Sequence, residues 1–358
     1  AVVAKGWSSY LGTVFGFGGG TADFGGFQVD WGALLIIAFV TVILAWGTKL
    51  SAEVSLVITV IKVAVVLLVI VVGAFYIKAA NFSPFIPPAE AGQGGTGAEQ
   101  SLFSLMTGAE GSHYGWYGVL AGASIVFFAF IGFDIVATAA EETRNPQRDL
   151  PIGIFGSLVI CTILYIAVSL VVTGMVRYDR LSVDAPLANA FRAVGETTIA
   201  QIVSFGALAG LTTVMLILML GQSRVFFAMS RDRLLPPAFA RVSERYGTPY
   251  RTTLVTGAGV AALTFLLSLD TLADLVNIGT LFAFVLVAIG IPILRRTRPD
   301  LERKFRTPLV PLVPILSVLA SVYLMLNLPS ATWVRFFVWM AVGLVVYFAY
   351  GARRSRLG

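Results

Sequence analysis

FFAFIGFDIVATAAEETRNPQRDLP, residues 127–151, begins as an apolar helix and ends as a charged loop. Between the two parts stand Gly132 and Asp134, where an apolar helix should be most regular. In hydrocarbon every backbone group needs a partner, so irregular backbone persists only where it lines a cavity. Gly132 lowers the cost of unwinding there. An unwound turn would free the carbonyls of Phe128 and Ile131 for a cationic group such as an ammonium, between aromatic walls of Phe127, Phe128, Phe130 and Phe133. Helices interrupted in this way hold ligands near the midplane of many transport proteins. The plainer alternative keeps Gly132 as a packing glycine and leaves Asp134 near enough to the cytoplasm to be hydrated.

The rest of the chain places this stretch in a membrane. Its 358 residues are 57% hydrophobic and only 12% charged, with a mean hydropathy of +0.87. A soluble domain carries about 25% charged residues. The single cysteine, Cys161, lies in an apolar run and excludes a disulfide framework. The single histidine, His113, lies in a polar loop, which disfavours enzymes built on histidine-ligated metals. The net charge of +6 comes from basic residues in loops between apolar runs, a topology signal and not a nucleic-acid footprint.

A spanning helix needs about 20 apolar residues. Nine such runs lie near 31–47, 54–77, 117–140, 152–176, 200–221, 252–269, 275–294, 309–328 and 332–351, within one transmembrane domain over residues 1–358. A β-barrel would show alternation in place of continuous runs. Eighteen Lys and Arg fall in one alternating set of loops, among them Lys49, Arg144, Arg148, Arg241, Arg245 and Arg295, against six in the other set. That asymmetry puts the C-terminus in the cytoplasm and the long loops 79–115 and 177–198 outside. Residues 84–99 (PFIPPAEAGQGGTGAE) read as a flexible outer loop.

Lys62, in VSLVITVIKVAVVLLVIVVG, sits nine residues past Glu53, about 13 Å along a helix axis. An ionisable residue at that depth is a functional candidate by default. It is suited to loading and releasing a proton, whereas a snorkelling lysine is the structural alternative. FGALAGLTTVMLIL, residues 205–218, offers Gly206 and Gly210 as a small-xxx-small face and then the mid-span hydroxyls of Thr212 and Thr213. Those hydroxyls could bind an ion or an ammonium, or simply bond back to their own helix. RVFFAMSRDRLLPP (224–237) reads as an interfacial segment or part of an inner gate, and ETRNPQRDLP (142–151) as a turn before a helix with Pro151 at its first position. In LVNIGTLFAFV (275–285), Asn277 and Gly279 read as packing residues.

No GxxxxGK[ST] motif is present, which argues against an ATP-driven pump, and GFGGGTADFGG (16–26) lacks the lysine such a loop needs. No paired intramembrane aspartates appear, and no catalytic constellation suggests an enzyme.

FFAFIGFDIVATAAEETRNPQRDLPIGI, GQSRVFFAMSRDRLLPP and LVNIGTLFAFVLVAIGIPILRR, in that order, resemble the amino acid–polyamine–organocation superfamily of permeases, nearest its cationic amino acid transporter branch. The resemblance implies an all-α polytopic membrane protein of the LeuT type, with two inverted five-helix repeats followed by two helices. It implies that the chain corresponds to the end of the third helix through the twelfth, lacking the first two helices and most of the third. About nine full spans then remain. By resemblance, the carbonyls of Phe128, Ala129, Phe130 and Ile131, beside Gly132, bind the substrate ammonium, Phe128 covers the substrate, and Asp134 lies nearby. Lys62 matches a lysine that takes the place of a sodium ion opposite the hydroxyls of Thr212 and Thr213, making the proton the coupling ion with no other cofactor. The implied function is secondary active transport of cationic or small neutral L-amino acids across the plasma membrane by alternating access. The partners are the amino acid and the lipid bilayer. An amino-acid sensor of the same fold without net flux is the rival expectation.

Overall fold

Among the described residues, helical segments overlap each of the predicted apolar runs. The computed structural model describes residues 1–16, 21–24, 27–47, 52–90, 97–108, 114–138, 143, 145–240, 250–300, 303 and 305–354; of 21–24, 27–28, 52–55, 134, 137–138, 238 and 240 it describes the backbone alone. The chain starts with α1 (Val2–Phe15), then strands β1 (Thr21–Phe24) and β2 (Phe27–Asp30), which pair antiparallel with Thr21 opposite Asp30. The helices that follow are α2 (Trp31–Ala45), α3 (Ala52–Ala74), α4 (Leu102–Thr107), α5 (Gly115–Val126), α6 (Phe133–Thr138), α7 (Pro146–Met175), α8 (Pro186–Ala193), α9 (Thr197–Arg231), α10 (Tyr250–Leu266), α11 (Leu269–Thr297), α12 (Leu312–Leu326) and α13 (Ser330–Val346). A π-helical turn, Tyr347–Gly351, extends α13 to Arg354.

The chain is thus an all-α polytopic membrane protein carrying one short hairpin among the described residues. Among the described residues, five stretches are both long and apolar enough to cross a bilayer: Leu56–Ala74, Pro146–Met175, Thr197–Arg231, Leu269–Thr297 and Ser330–Arg354. The remaining predicted spans fall on the broken helix at 115–138 and on helices of 15 to 17 residues. On α7 the apolar residues Ile152, Phe155, Val159, Ile163 and Ile166 form an exposed stripe, as a lipid-facing surface requires.

Packing groups the chain into two units. The first comprises Ala1–Pro84, Ile160–Leu269 and Val346–Gly358. Within it α9 is the central element, touched by α1, α2, α3, α8 and α10. Trp7, Ile36, Ile37, Val40, Met215 and Met219 bury together where α1, α2 and α9 meet. Asp30 caps α2 by accepting from the Ala33 N–H at 3.0 Å and also accepts from the Ser8 hydroxyl at 2.5 Å, which ties α1 to the start of α2. The second unit comprises Phe85–Val159 and Asp270–Val345, with Ile278, Leu281, Met325, Leu328 and Phe336 at its centre.

The small-xxx-small face of α9 makes close contact with α3. A Cβ at Gly206 would stand 2.7 Å from Val65 Cγ2, and one at Gly210 would stand 3.8 Å from the Lys62 stem. Several buried hydroxyls in the first unit return to their own helices. Thr41 donates to the Ile37 carbonyl, Ser204 to Ala200, Ser223 to Met219 and Thr264 to Val260. This is how a hydroxyl is satisfied where water is absent.

Three expectations are corrected. α7 starts at Pro146, not Pro151: the Asn145 carbonyl accepts from the N–H groups of Arg148 and Asp149, and Pro146 takes the first position, where a missing N–H is free of cost. Pro151 lies inside the helix, still near its polar end. Residues 224–231 continue α9 and are not a separate interfacial segment; at 35 residues α9 extends about 52 Å, longer than the hydrocarbon is thick. The chain then folds back, with Leu234 donating to the Met229 carbonyl and Ser230 to Pro236. Lastly, the end of the outer loop is fastened. Leu102 N–H donates to Leu328, Ser330 N–H to Gln100, and the Ser330 hydroxyl to Ala98, so 98–102 lies against the α12–α13 turn. Residues 91–96, His113, Lys49, Arg144, Arg241 and Arg245 lie outside the described residues.

Gly206→Ala is expected to lower stability by about 1–3 kcal/mol by forcing α3 and α9 apart. Gly259→Ala, whose Cβ meets open space, should change stability by less than about 0.5 kcal/mol. Thermal midpoints of the detergent-solubilised proteins compare the two.

Candidate functional site

The helix at 115–138 is broken. Its α-helical ladder ends at Val126, and Phe127–Phe130 tightens into a 3-10 turn. Ile131 is extended (φ −66°, ψ 129°), Gly132 has φ 137°, and α6 restarts at Phe133. A φ of that size is strained for any residue with a Cβ, so a glycine is required for conformational reasons. A Cβ at Gly132 would meet nothing within 4 Å. A Cβ there is therefore opposed by the backbone and not by crowding.

The backbone accounting changes the expected carbonyl set. The Phe128 carbonyl accepts from the Ile131 N–H at 3.2 Å, and the Gly132 carbonyl accepts from Ile135 at 3.2 Å. The Phe128 carbonyl is thus already committed once, although its second lone pair can still accept. Phe127 and Phe133, before and after the break, both pack on Phe284 of α11, at ring separations of 5.9 and 5.3 Å. Phe128, Phe130, Ile131 and Gly132 are half-buried and Ala129 is exposed. The side chain of Asp134, like that of Glu53, lies outside the described residues.

The other candidate group is in the first unit. Lys62 on α3 lays its aliphatic stem across Gly210 of α9, with Cγ and Cε both 3.8 Å from the Cβ a larger residue would have. Val65 and Gly206 touch one turn away, so the two helices run antiparallel along this seam. Among the described residues no carboxylate pairs with the Lys62 ammonium.

The two threonines are separated. Thr213 lies roughly 20° from Gly206 around α9 and so belongs to the face toward α3. Its hydroxyl donates to the Gly210 carbonyl at 2.8 Å. Side chains lean toward the N-terminus of their own helix, and on α3 that direction carries Lys62 toward the Thr213 turn. Thr212 lies roughly 120° from Gly206 and faces α1. It donates to the Leu208 carbonyl at 2.7 Å and accepts from the Trp7 indole N–H at 3.0 Å. Lys62 and Gly210 therefore meet at the α3–α9 seam with Thr213 on the same face of α9, and Thr212 belongs to the α1–α9 joint.

Two participants, Trp7 and Phe284, escaped the sequence reading, and a third, Asn277, was read as a packing residue. Trp7 and Thr212 are 205 residues apart, a pairing that no local pattern carries. Phe284 is one aromatic among many in an apolar run. Asn277 did carry a signal: a carboxamide in an apolar helix must find a partner. Its Nδ2 donates to the Ser124 carbonyl at 3.1 Å.

A sequence model of the amino acid permease family matches residues 2–348. The chain is 41% identical over 366 residues to the methylthioribose transporter of Bacillus subtilis (strain 168), covering all of this chain and 74% of that protein. It is 43% identical to the branched-chain amino acid permease BcaP of the same organism, over 91% of this chain and 64% of that one. It is 39% identical to the chloroplastic cationic amino acid transporter 9 of Arabidopsis thaliana, over 74% of this chain and 42% of the relative.

Because the strain at Gly132 lies in its φ, Gly132→Ala and Gly132→Leu should destabilise the protein about equally, by about 1–3 kcal/mol each. Gly122→Ala, on regular helix with open space around it, should stay within about 0.5 kcal/mol. A thermal scan in which Leu costs far more than Ala would show that side-chain volume decides.

Proposed function

The chain belongs to the amino acid permease family, and we propose that it works as a secondary active amino acid transporter with the substrate at the Phe127–Gly132 break. The observation that carries this reading is the break itself: irregular backbone in the middle of an apolar helix, fixed by a positive φ that only glycine adopts easily. Substrate ammonium would bind to backbone carbonyls of Phe128 to Ile131. Phe128 would cover it, and Asp134 would lie beside it. The fold would be of the LeuT type with inverted repeats, in the plasma membrane with a cytoplasmic C-terminus, operating by alternating access.

The proton would be the coupling ion, carried at Lys62. An ammonium with no described carboxylate partner, seated on a glycine face, can give up its charge without breaking an ion pair. Thr213, on the same face, would supply the hydroxyl that receives the ammonium; Thr212, held by Trp7, would not.

The resemblance to cationic transporters favours arginine, lysine or small neutral amino acids. A second reading favours an apolar ligand. Relatives with 41% and 43% identity are named for methylthioribose and for branched-chain amino acids, and the described side chains at the break are phenylalanines, an alanine and an isoleucine.

Proteoliposomes with the native protein and an inward proton gradient test both readings. Labelled arginine, lysine, leucine, isoleucine, valine and methylthioribose are offered in turn. Accumulation above the equilibrium level supports transport, whereas binding without accumulation supports a sensor. Lys62→Ala should abolish stimulation by the gradient while sparing counterflow. Thr213→Val should weaken the stimulation, and Thr212→Val should leave it within about twofold, since replacing a hydroxyl outside the coupling group removes only a structural bond. Undiminished gradient-driven uptake by Lys62→Ala would end the coupling role.

A further inference from the structure

We propose that Asn277 of α11 is the positioning residue that decides where α5 ends and the break begins. The last rung of the α5 ladder joins the Phe127 N–H to the Ala123 carbonyl. The next rung of a continuing helix would join Phe128 to the Ser124 carbonyl. The helix ends before that rung, and the Asn277 carboxamide donates to Ser124 in its place, at 3.1 Å. Both residues are buried, Asn277 fully and Ser124 to within 1%. The Ser124 carbonyl only accepts, so chemistry orients the carboxamide: nitrogen toward Ser124 and Oδ1 away from it.

Oδ1 has no donor among the described residues. A buried acceptor without a donor is costly, and an apolar side chain of similar size would avoid that cost. Asn277 is thus a poor choice for stability alone. What it supplies is a donor at one carbonyl, and that carbonyl lies at the start of the break. The same helix acts a second time two turns later. Phe284, seven residues on and on the same face, carries the rings of Phe127 and Phe133 from both sides of Gly132. The amide fixes where the ladder stops, and the ring holds the two ends together.

This role deepens the reading of the break as substrate site, but its first test does not depend on transport. Amide hydrogen exchange is measured on the native protein and on Asn277→Leu. Exchange across Phe127–Phe133 should rise about tenfold, the equivalent of one hydrogen bond, with the thermal midpoint unchanged or higher. Unchanged exchange at the break overturns the proposal. So does a lower midpoint with faster exchange throughout the chain, which marks an ordinary structural residue. If Asn277→Leu does not fold, Asn277→Ala serves for the same comparison, and Asn277→Gln, which keeps the donor, should recover part of the protection. In proteoliposomes the KM of Asn277→Leu should rise about tenfold with the maximal rate within about twofold. If the native protein takes up none of the substrates offered, the transport reading fails and the exchange comparison still decides the role of Asn277.

Discussion

A peptide carbonyl left without a donor in hydrocarbon costs several kcal/mol. That constraint governs the structure around Gly132. A break in a membrane helix has to satisfy the groups it releases, and the means are visible here. The Ile131 N–H turns back onto Phe128, Ile135 serves Gly132, and a side chain of α11 serves Ser124. Once those groups are assigned, the aromatic packing on Phe284 follows, because the two half-helices must be held in line without a continuous ladder.

The same constraint shapes the interior of the first unit. Its buried polar residues are serines and threonines, several of which bond to their own helices. Such residues add no net charge and let helices approach closely. Lys62 brings a charge that rests on glycine, with no carboxylate partner among the described residues. The large apolar residues, which a water-soluble protein would bury, face outward along α7.

Much of this was legible in the sequence because the signals are local. Apolar run length located the helices, and a glycine amid phenylalanines located the break. The small-xxx-small spacing marked the face of α9 that packs closely, and a lone lysine in an apolar run marked itself. What was not legible depends on distant partners. Nothing near Thr212 says that an indole 205 residues earlier will occupy it, so the two threonines looked equivalent. Pro146 and Pro151 both suit a first helical position, and only the Asn145 carbonyl shows which one takes it. Short elements such as α8 and the β1–β2 hairpin are too brief to register in a search for long apolar runs. The Phe128 carbonyl was read as free because a sequence cannot show a 3-10 turn closing on itself.

The seam of Gly206 and Gly210 against Val65 and Lys62 leaves no slack between α3 and α9. Helices in such contact slide or separate only by losing that packing. Lys62 and Thr213 therefore travel as passengers on one stiff rail. Any further group that reaches the lysine must come from an element outside this pair, and the lysine stays where the rail carries it.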